Sequence, residues 1–411
     1  MKVKQDKIDR RNFFKTIGAA GLGSALVCAK GMAGPNDPNV TDPNTKEKIQ
    51  KPKLPQVPRR KLGKTGVEIP CLALGAVGEL VVLSKALEWG VNHLDTSLVA
   101  GGGNSELSIG KYISKNPKVR KELFIVTKES DSKTAADLEK CLQKSLKRMH
   151  TKYIDLYFGI YRMNDPGQLT DEVKKWAEDA KRRKLIRFFG FSTHKNMSQC
   201  LSAAAKCGWV DAIQTSYNFR LTKDDKMQAA IEACHKAGIG LIAMKTQAKK
   251  INTDDDKKLT EHFLKKGFTE GQAKIKAVLE DKRISSACVA MKNVALLTSN
   301  VAAVLDKTKL SQTDIEVLDA YAQASCSGYC LGCSYICNST LPNVPYVSDI
   351  MRYLMYYNSY GEHDKARKLF AEIPGRVRNK LLTADYSLAE ARCPQHLPIG
   401  KLVNEAVKKL A

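Results

Sequence analysis

Between residues 69 and 305 the hydrophobic period switches repeatedly from that of a strand to that of a helix. Short apolar runs at 69–75, 93–96, 123–128, 154–161, 187–193, 212–218, 240–246 and 286–292 read as strands. Stretches of helical spacing lie between them, at 134–149, 170–184, 197–207, 226–237 and 270–280, and 294–305 follows the last strand. Eight strands, each followed by a helix, over roughly 240 residues predict a (β/α)8 TIM barrel. A doubly wound sheet is the competing reading, but it wants a glycine-rich turn after the first strand. Leu74-Gly75-Ala76-Val77-Gly78 matches that turn poorly.

Composition narrows the functional classes. The 411 residues are 43% hydrophobic and 27% charged, as in globular proteins, and the net charge is +24. Such a charge raises the question of nucleic acid. The lysines, however, are scattered along surface helices such as 171–184, and no basic run interleaves with aromatic residues as a stacking platform requires. Nucleic acid is therefore not an expected partner.

The N-terminus reads as an address. Arg10-Arg11 with Phe14-Lys15 precedes a Gly/Ala-rich apolar stretch at 17–29, too short to span a bilayer comfortably, and a small-residue site at Gly31-Met32-Ala33. This layout resembles a twin-arginine signal, which serves folded cargo. The competing reading is a frayed amphipathic helix. Val27 before Cys28 is too large for the usual lipoprotein site. The expected organisation is a signal peptide at 1–33, a linker at 34–57, a barrel at 58–310 and a small helical module at 311–411. The expected location is periplasmic or otherwise extracytoplasmic, with the twin-arginine (Tat) export machinery as a partner.

In a (β/α)8 barrel the active site forms where strands end and the following loops begin. Polar residues collect there: Asp95-Thr96-Ser97, Lys128-Glu129, Ser192-Thr193-His194, Asn218, Lys245 and Lys292-Asn293. Any one of them could be an ordinary solvent-facing strand end. Several on one rim favour a site.

The segments Gly90-Val91-Asn92-His93-Leu94-Asp95-Thr96, Gly101-Gly102-Gly103-Asn104-Ser105-Glu106 and Lys184-Leu185-Ile186-Arg187-Phe188-Phe189-Gly190-Phe191-Ser192 resemble signatures of the aldo/keto reductase superfamily. Met291-Lys292-Asn293-Val294 with Asn300-Val301-Ala302-Ala303 does so as well. The similarity spans about 58–305. It implies NADP(H) as cofactor and a small carbonyl or sugar-like substrate. It also implies a catalytic tetrad of Asp, Tyr, Lys and His, with Tyr as proton donor. Asp95 and Lys128 match two of the four columns; the Tyr and His columns hold Ala100 and Ile160. Tyr161 could substitute only if its strand has ended there, and Tyr217 and His194 are further candidates. By the same resemblance, Ser192 and Gln214 would hold the nicotinamide carboxamide, Lys292 the 2′-phosphate and Asn300 the adenine. Thr193 stands where Asn is usual, and Met244 replaces the stacking aromatic.

The cysteines carry the strongest local signal. Cys326, Cys330, Cys333 and Cys337 follow at short spacings, and Cys393-Pro394 lies far downstream. Short spacings plus a remote Cys-Pro are how one 4Fe-4S cluster collects thiolates from two segments. The expected ligands are Cys330, Cys333, Cys337 and Cys393, with Cys326 in reserve. Disulfides and zinc are the competing readings. The stretches 347–357 and 364–373 read as helices, so the module is α-rich. Cys393-Pro394-Gln395-His396-Leu397-Pro398 resembles the end of a ferredoxin-type motif.

Two functions follow as expectations. One is an exported, NADP-linked aldo/keto reductase-like oxidoreductase with a degenerate tetrad, an iron–sulfur cluster and a redox partner protein. The other is a non-catalytic barrel serving as a binding or electron-transfer partner.

Overall fold

The computed structural model describes residues 54–129, 132, 134–248, 254–325 and 329–411. The signal peptide, most of the linker and Cys326 lie outside the described residues. No helix among the described residues is long and apolar enough to cross a membrane.

Two short strands come first: β1 (Arg59–Lys61) and β2 (Glu68–Pro70) pair as an antiparallel hairpin. The barrel strands follow: β3 (Leu72–Gly75), β4 (His93–Asp95), β5 (Phe124–Lys128), β6 (Ile154–Met163), β7 (Ile186–Thr193), β8 (Ala212–Ser216), β9 (Gly240–Met244) and β10 (Ile284–Ala290). They close in the order β10-β3-β4-β5-β6-β7-β8-β9, every pair parallel. The expected (β/α)8 barrel is present.

The expected strand at 69–75 is in fact two elements. It breaks at Cys71, so Ile69 belongs to the hairpin and Leu72 opens the barrel. A continuous apolar run cannot reveal a change of sheet in its middle. The hairpin closes the N-terminal mouth. Leu62 and Ile69 pack with Phe124, Val126, Leu156, Phe158 and Ile242 in one buried cluster. Lys64 N–H donates to Gly238 O at 2.7 Å. A Cβ on Gly63 would stand 2.2 Å from that oxygen, and its φ is +52°, so only glycine fits the approach. Other expected strands end earlier or later than read. Tyr217-Asn218 and Lys245-Thr246 lie beyond their strands, and β6 runs on to Met163.

Helices surround the barrel, among them α1 (Leu80–Glu88), α2 (Asn104–Lys115), α3 (Ala135–Arg148), α4 (Asp171–Arg182), α5 (Met197–Cys207), α6 (Asp225–Lys236), α7 (Asp254–Lys265), α8 (Glu270–Glu280) and α9 (Val294–Leu305). Thr134 with Asp137 and Thr269 with Gln272 form capping boxes that start α3 and α8. The indole of Trp176 packs between Tyr157 and Phe189, sealing the outer face of β6 and β7.

Helix α10 (Gln312–Ala324) lies against the barrel. Tyr321 donates to Asp256, and Arg220 donates to Ala322 O at 2.8 Å. Six further helices complete the chain: α11 (Ser334–Thr340), α12 (Val347–Tyr360), α13 (His363–Ala371), α14 (Gly375–Arg378), α15 (Ser387–Ala391) and α16 (Ile399–Leu410). They share a core of their own built on Val344, Ile350, Phe370, Leu381 and Val403. This helical region is seated on the loop after β7. Asn196 N–H donates to Gly332 O at 2.9 Å, Lys195 pairs with Asp349 at 2.7 Å, and Arg352 donates to His194 O at 2.7 Å.

Candidate active site at the strand C-termini

Asp95 closes β4 and Lys128 closes β5, so parallel pairing brings both to the same rim. The Lys128 ammonium donates to Asp95 Oδ1 at 2.7 Å and to Thr96 O at 2.8 Å, and both side chains are buried. Gln214 Nε2 donates to the same Asp95 oxygen at 3.1 Å. The Gln214 carbonyl is buried without a hydrogen-bond partner. The Phe158 ring lies 5.8 Å from Lys128 Nζ and supplies an apolar wall. Cys288 stands beside this group, its thiol pushed well above the usual range by burial and by the Asp95 charge. Nothing near Cys288 in the sequence marks it as a site residue. Only barrel closure, which pairs β10 with β3 and β9, turns it toward Asp95.

Neither residue that the resemblance puts in the Tyr and His columns carries a proton donor. Ala100 sits in a short turn after β4, and Ile160 is buried in β6. Three substitutes were candidates. β6 does not end at Tyr161, so the condition for that residue fails. The ladder slips on both sides of Ile160, Tyr161 N–H donates to Glu129, and the Arg162 guanidinium covers the Tyr161 ring at 4.6 Å. The Tyr217 hydroxyl donates to Asp281 at 3.1 Å and accepts from Gln228 at 3.0 Å, and burial raises its pKa further. It is thus held by residues of α6 and of the loop before β10. His194 faces the rim with Nδ1 3.1 Å from Ser216 Oγ. Burial and the nearby Lys245 and Arg352 charges keep its imidazole neutral.

Of the expected nicotinamide contacts, Ser192 and Gln214 are register partners on β7 and β8. Ser192 Oγ accepts from Arg162 N–H at 3.2 Å. Thr193, where the family has Asn, donates to Met163 O at 2.8 Å. Lys292 is exposed two residues beyond β10. Asn300 is buried on α9, its carbonyl accepting from Gln247 at 3.1 Å and its amide nitrogen unpartnered. Both follow β10 in the chain, Lys292 before α9 and Asn300 on it.

Cys330, Cys333, Cys337 and Cys393 line one pocket with Ile336, Val347, Met351 and Leu397. All four are free thiols. Gly332 N–H donates to Cys330 Sγ at 3.3 Å. Burial pushes the thiols of Cys333 and Cys337 up to about 12, and the charges of neighbouring cysteines add to it. Among the described residues no three His, Cys, Asp or Glu side chains are grouped so as to hold a single metal ion.

Residues 78–323 match the aldo/keto reductase family. Two solved structures resemble the chain. A thermostable aldo-keto reductase, Tm1743, solved in complex with the inhibitor epalrestat, is 27% identical with a TM-score of 0.54; the match covers 64% of this chain and 100% of that one. Aldo-keto reductase AKR11C1 from Bacillus halodurans, in its holo form, is 19% identical with a TM-score of 0.54, over 65% of this chain and 96% of that one; at this identity the likeness concerns the fold. With the barrel, the buried Lys128–Asp95 pair and a family match over more than half its length, the chain belongs to the aldo/keto reductase family.

Proposed function

We propose that the protein is an exported NADP(H)-linked oxidoreductase that handles a small carbonyl or alcohol substrate with altered proton chemistry, and that its helical module holds a 4Fe-4S cluster. The observation that carries the redox reading is the Lys128–Asp95 pair, buried and supported by Gln214. Bound NADPH supplies hydride. Ser192 and Gln214 would hold its carboxamide, Lys292 and Asn300 its adenosine end. The unpartnered Gln214 carbonyl and Asn300 amide suit that use.

Lys128 would stabilise negative charge developing on the carbonyl oxygen, because a preorganised cation in a site with little water acts strongly there. Asp95 positions it. With Ala100 in place of a tyrosine, this chain offers no phenol to finish the transfer, so the proton would come from water or from the substrate. The grouping of Cys330, Cys333, Cys337 and Cys393 around one pocket with apolar walls supports the cluster reading. The cluster would supply one-electron transfer to a redox partner protein.

The same two positions, Ala100 and Ile160, favour a second reading: a non-catalytic barrel that binds or relays electrons. NADPH titration separates the two. Quenching or a blue shift of NADPH fluorescence by purified protein is the expected result, and an unchanged spectrum at saturating protein removes the reductase reading.

A further inference from the structure

A second pocket opens at the same rim, between the barrel and the helical region. Its polar lining is His194 after β7, Ser216 at the end of β8, Lys245 after β9, and Tyr329 and Arg352 from the helical region. Three of these five are basic or imidazole groups, and among the described residues no aspartate or glutamate lines the pocket. Two carboxylates of the helical region are paired with other lysines: Asp349 with Lys195 at 2.7 Å and Glu362 with Lys365 at 2.7 Å. The lysine is held here by the backbone, since Lys245 adopts φ +55°, a conformation that non-glycine residues rarely take. Arg352 is held by its hydrogen bond to His194 O, and Tyr329 by the Asn218 amide at 2.8 Å.

Cations gathered in a half-buried space repel one another and lose hydration, and an anion offsets both costs. The space is small, about 10 Å³ for the centre of a water-sized group. That is room for roughly one water-sized group, so one oxygen of an anion would enter and the rest of it would sit at the open mouth. Arg352 and Tyr329 lie beyond residue 323, where the family match ends, so the barrel alone would not build this pocket.

We propose that this pocket is an oxyanion subsite, in which Arg352 and Lys245, with the Ser216 and Tyr329 hydroxyls, take a carboxylate or phosphate group of the substrate. Resting on the oxidoreductase reading above, the assignment narrows the substrate to an acidic carbonyl compound, with the helical region acting as a specificity element. An arginine presents two parallel donors to such a group, and the lysine a point charge.

The test is equilibrium binding to the full chain as isolated, at low salt, by isothermal titration calorimetry, with pyruvate, its methyl ester and inorganic phosphate as probes. Pyruvate and phosphate should bind and compete, and the neutral ester should not displace phosphate. Lys245→Met and Arg352→Gln should each weaken both anions at least tenfold, and Arg352→Lys should recover part of the loss. Arg352→Gln could loosen the seat on His194, so Lys245→Met, which leaves that hydrogen bond intact, keeps the test decisive. Phosphate binding without pyruvate binding would keep the subsite and assign it to phosphate-bearing ligands. The assignment is overturned by the ester binding as tightly as pyruvate, by both variants binding like wild type, or by NADP+ displacing phosphate from the pocket. A thiolate-bound cluster behind Cys330 would place negative charge near the same cations, and a cluster-loaded protein that binds neither anion also overturns it. No readout here needs hydride transfer. A protein that binds pyruvate without binding NADPH keeps the subsite and loses the reductase reading. One that binds NADPH but neither anion does the reverse.

Discussion

The ammonium of Lys128 stands 2.7 Å from Oδ1 of Asp95, and that oxygen also accepts the Gln214 amide at 3.1 Å. One carboxylate on β4 thus holds side chains from β5, its neighbour, and from β8, across the barrel. Such a pair is costly to break from one side, because the surviving charge stays buried.

Asp95→Asn should therefore destabilise the protein by about 3–5 kcal/mol. Asp95→Asn combined with Lys128→Met, which removes both charges, should recover most of that. Urea denaturation of the three proteins measures it. A single variant no less stable than the double one would mean that water reaches and screens the pair.

Ordinary aldehyde reduction should be feeble, since Ala100 and Ile160 supply no proton and no orienting imidazole. Installing Ala100→Tyr with Ile160→His should raise turnover by about 10²–10⁴, the usual worth of a general acid. Steady-state NADPH oxidation with a simple aldehyde is the assay. If the wild type already turns over as fast as the double variant, another group fills the role.

Acid should destabilise the fold through His93. This side chain is wholly buried, with only Ser286 Oγ 3.2 Å from Nδ1, and burial lowers its pKa to about 4. An unfolded histidine titrates near 6.5. Between those values the unfolded chain binds a proton that the folded one refuses, so stability falls as pH drops from about 6.5 to about 4, by roughly 3 kcal/mol in total. The His93→Leu variant lacks this step. Denaturation midpoints at pH 7 and pH 4.5 should converge for the variant relative to wild type, and parallel losses would exclude His93 as the cause.

Anaerobically purified protein should be brown and carry about four irons per chain. Cys337→Ala and Cys393→Ala should each lose most of the iron, while Cys326→Ala should keep it. Iron and zinc determinations decide the matter, and stoichiometric zinc without iron would sink the cluster.

Replacing Arg10 and Arg11 with lysine should leave folded, iron-loaded precursor in the cytoplasm. A cluster needs reduced thiolates brought together before an oxidising compartment is reached. An exporter of folded protein meets that need. Fractionation with an immunoblot and an iron assay reports it, and unchanged export would remove the twin-arginine assignment.

Local pattern carried the barrel a long way. The alternation from 69 to 305 depends on which residues are apolar at short spacing, and each strand or helix answers to that spacing almost by itself. Asp95 and Lys128 were legible because they end apolar runs and match known columns. The four module cysteines were legible because three are close in the chain. Other features depend on chain segments meeting at long range, which no window of sequence records. Cys71 divides one apolar run between two sheets because the hairpin must turn back to plug the barrel. Tyr217 looked like a rim residue, yet its hydroxyl goes to Asp281, since a residue just past its strand no longer follows the strand's alternation. Arg352 gave no signal at all. It lies 158 positions from His194, and only docking of the helical region on the loop after β7 brings its guanidinium to that carbonyl and to Lys245. The sequence by itself determined the repeating units and the chemistry at their ends. The tertiary structure decided which ends face one another, because closure and docking are set by packing summed over the whole molecule.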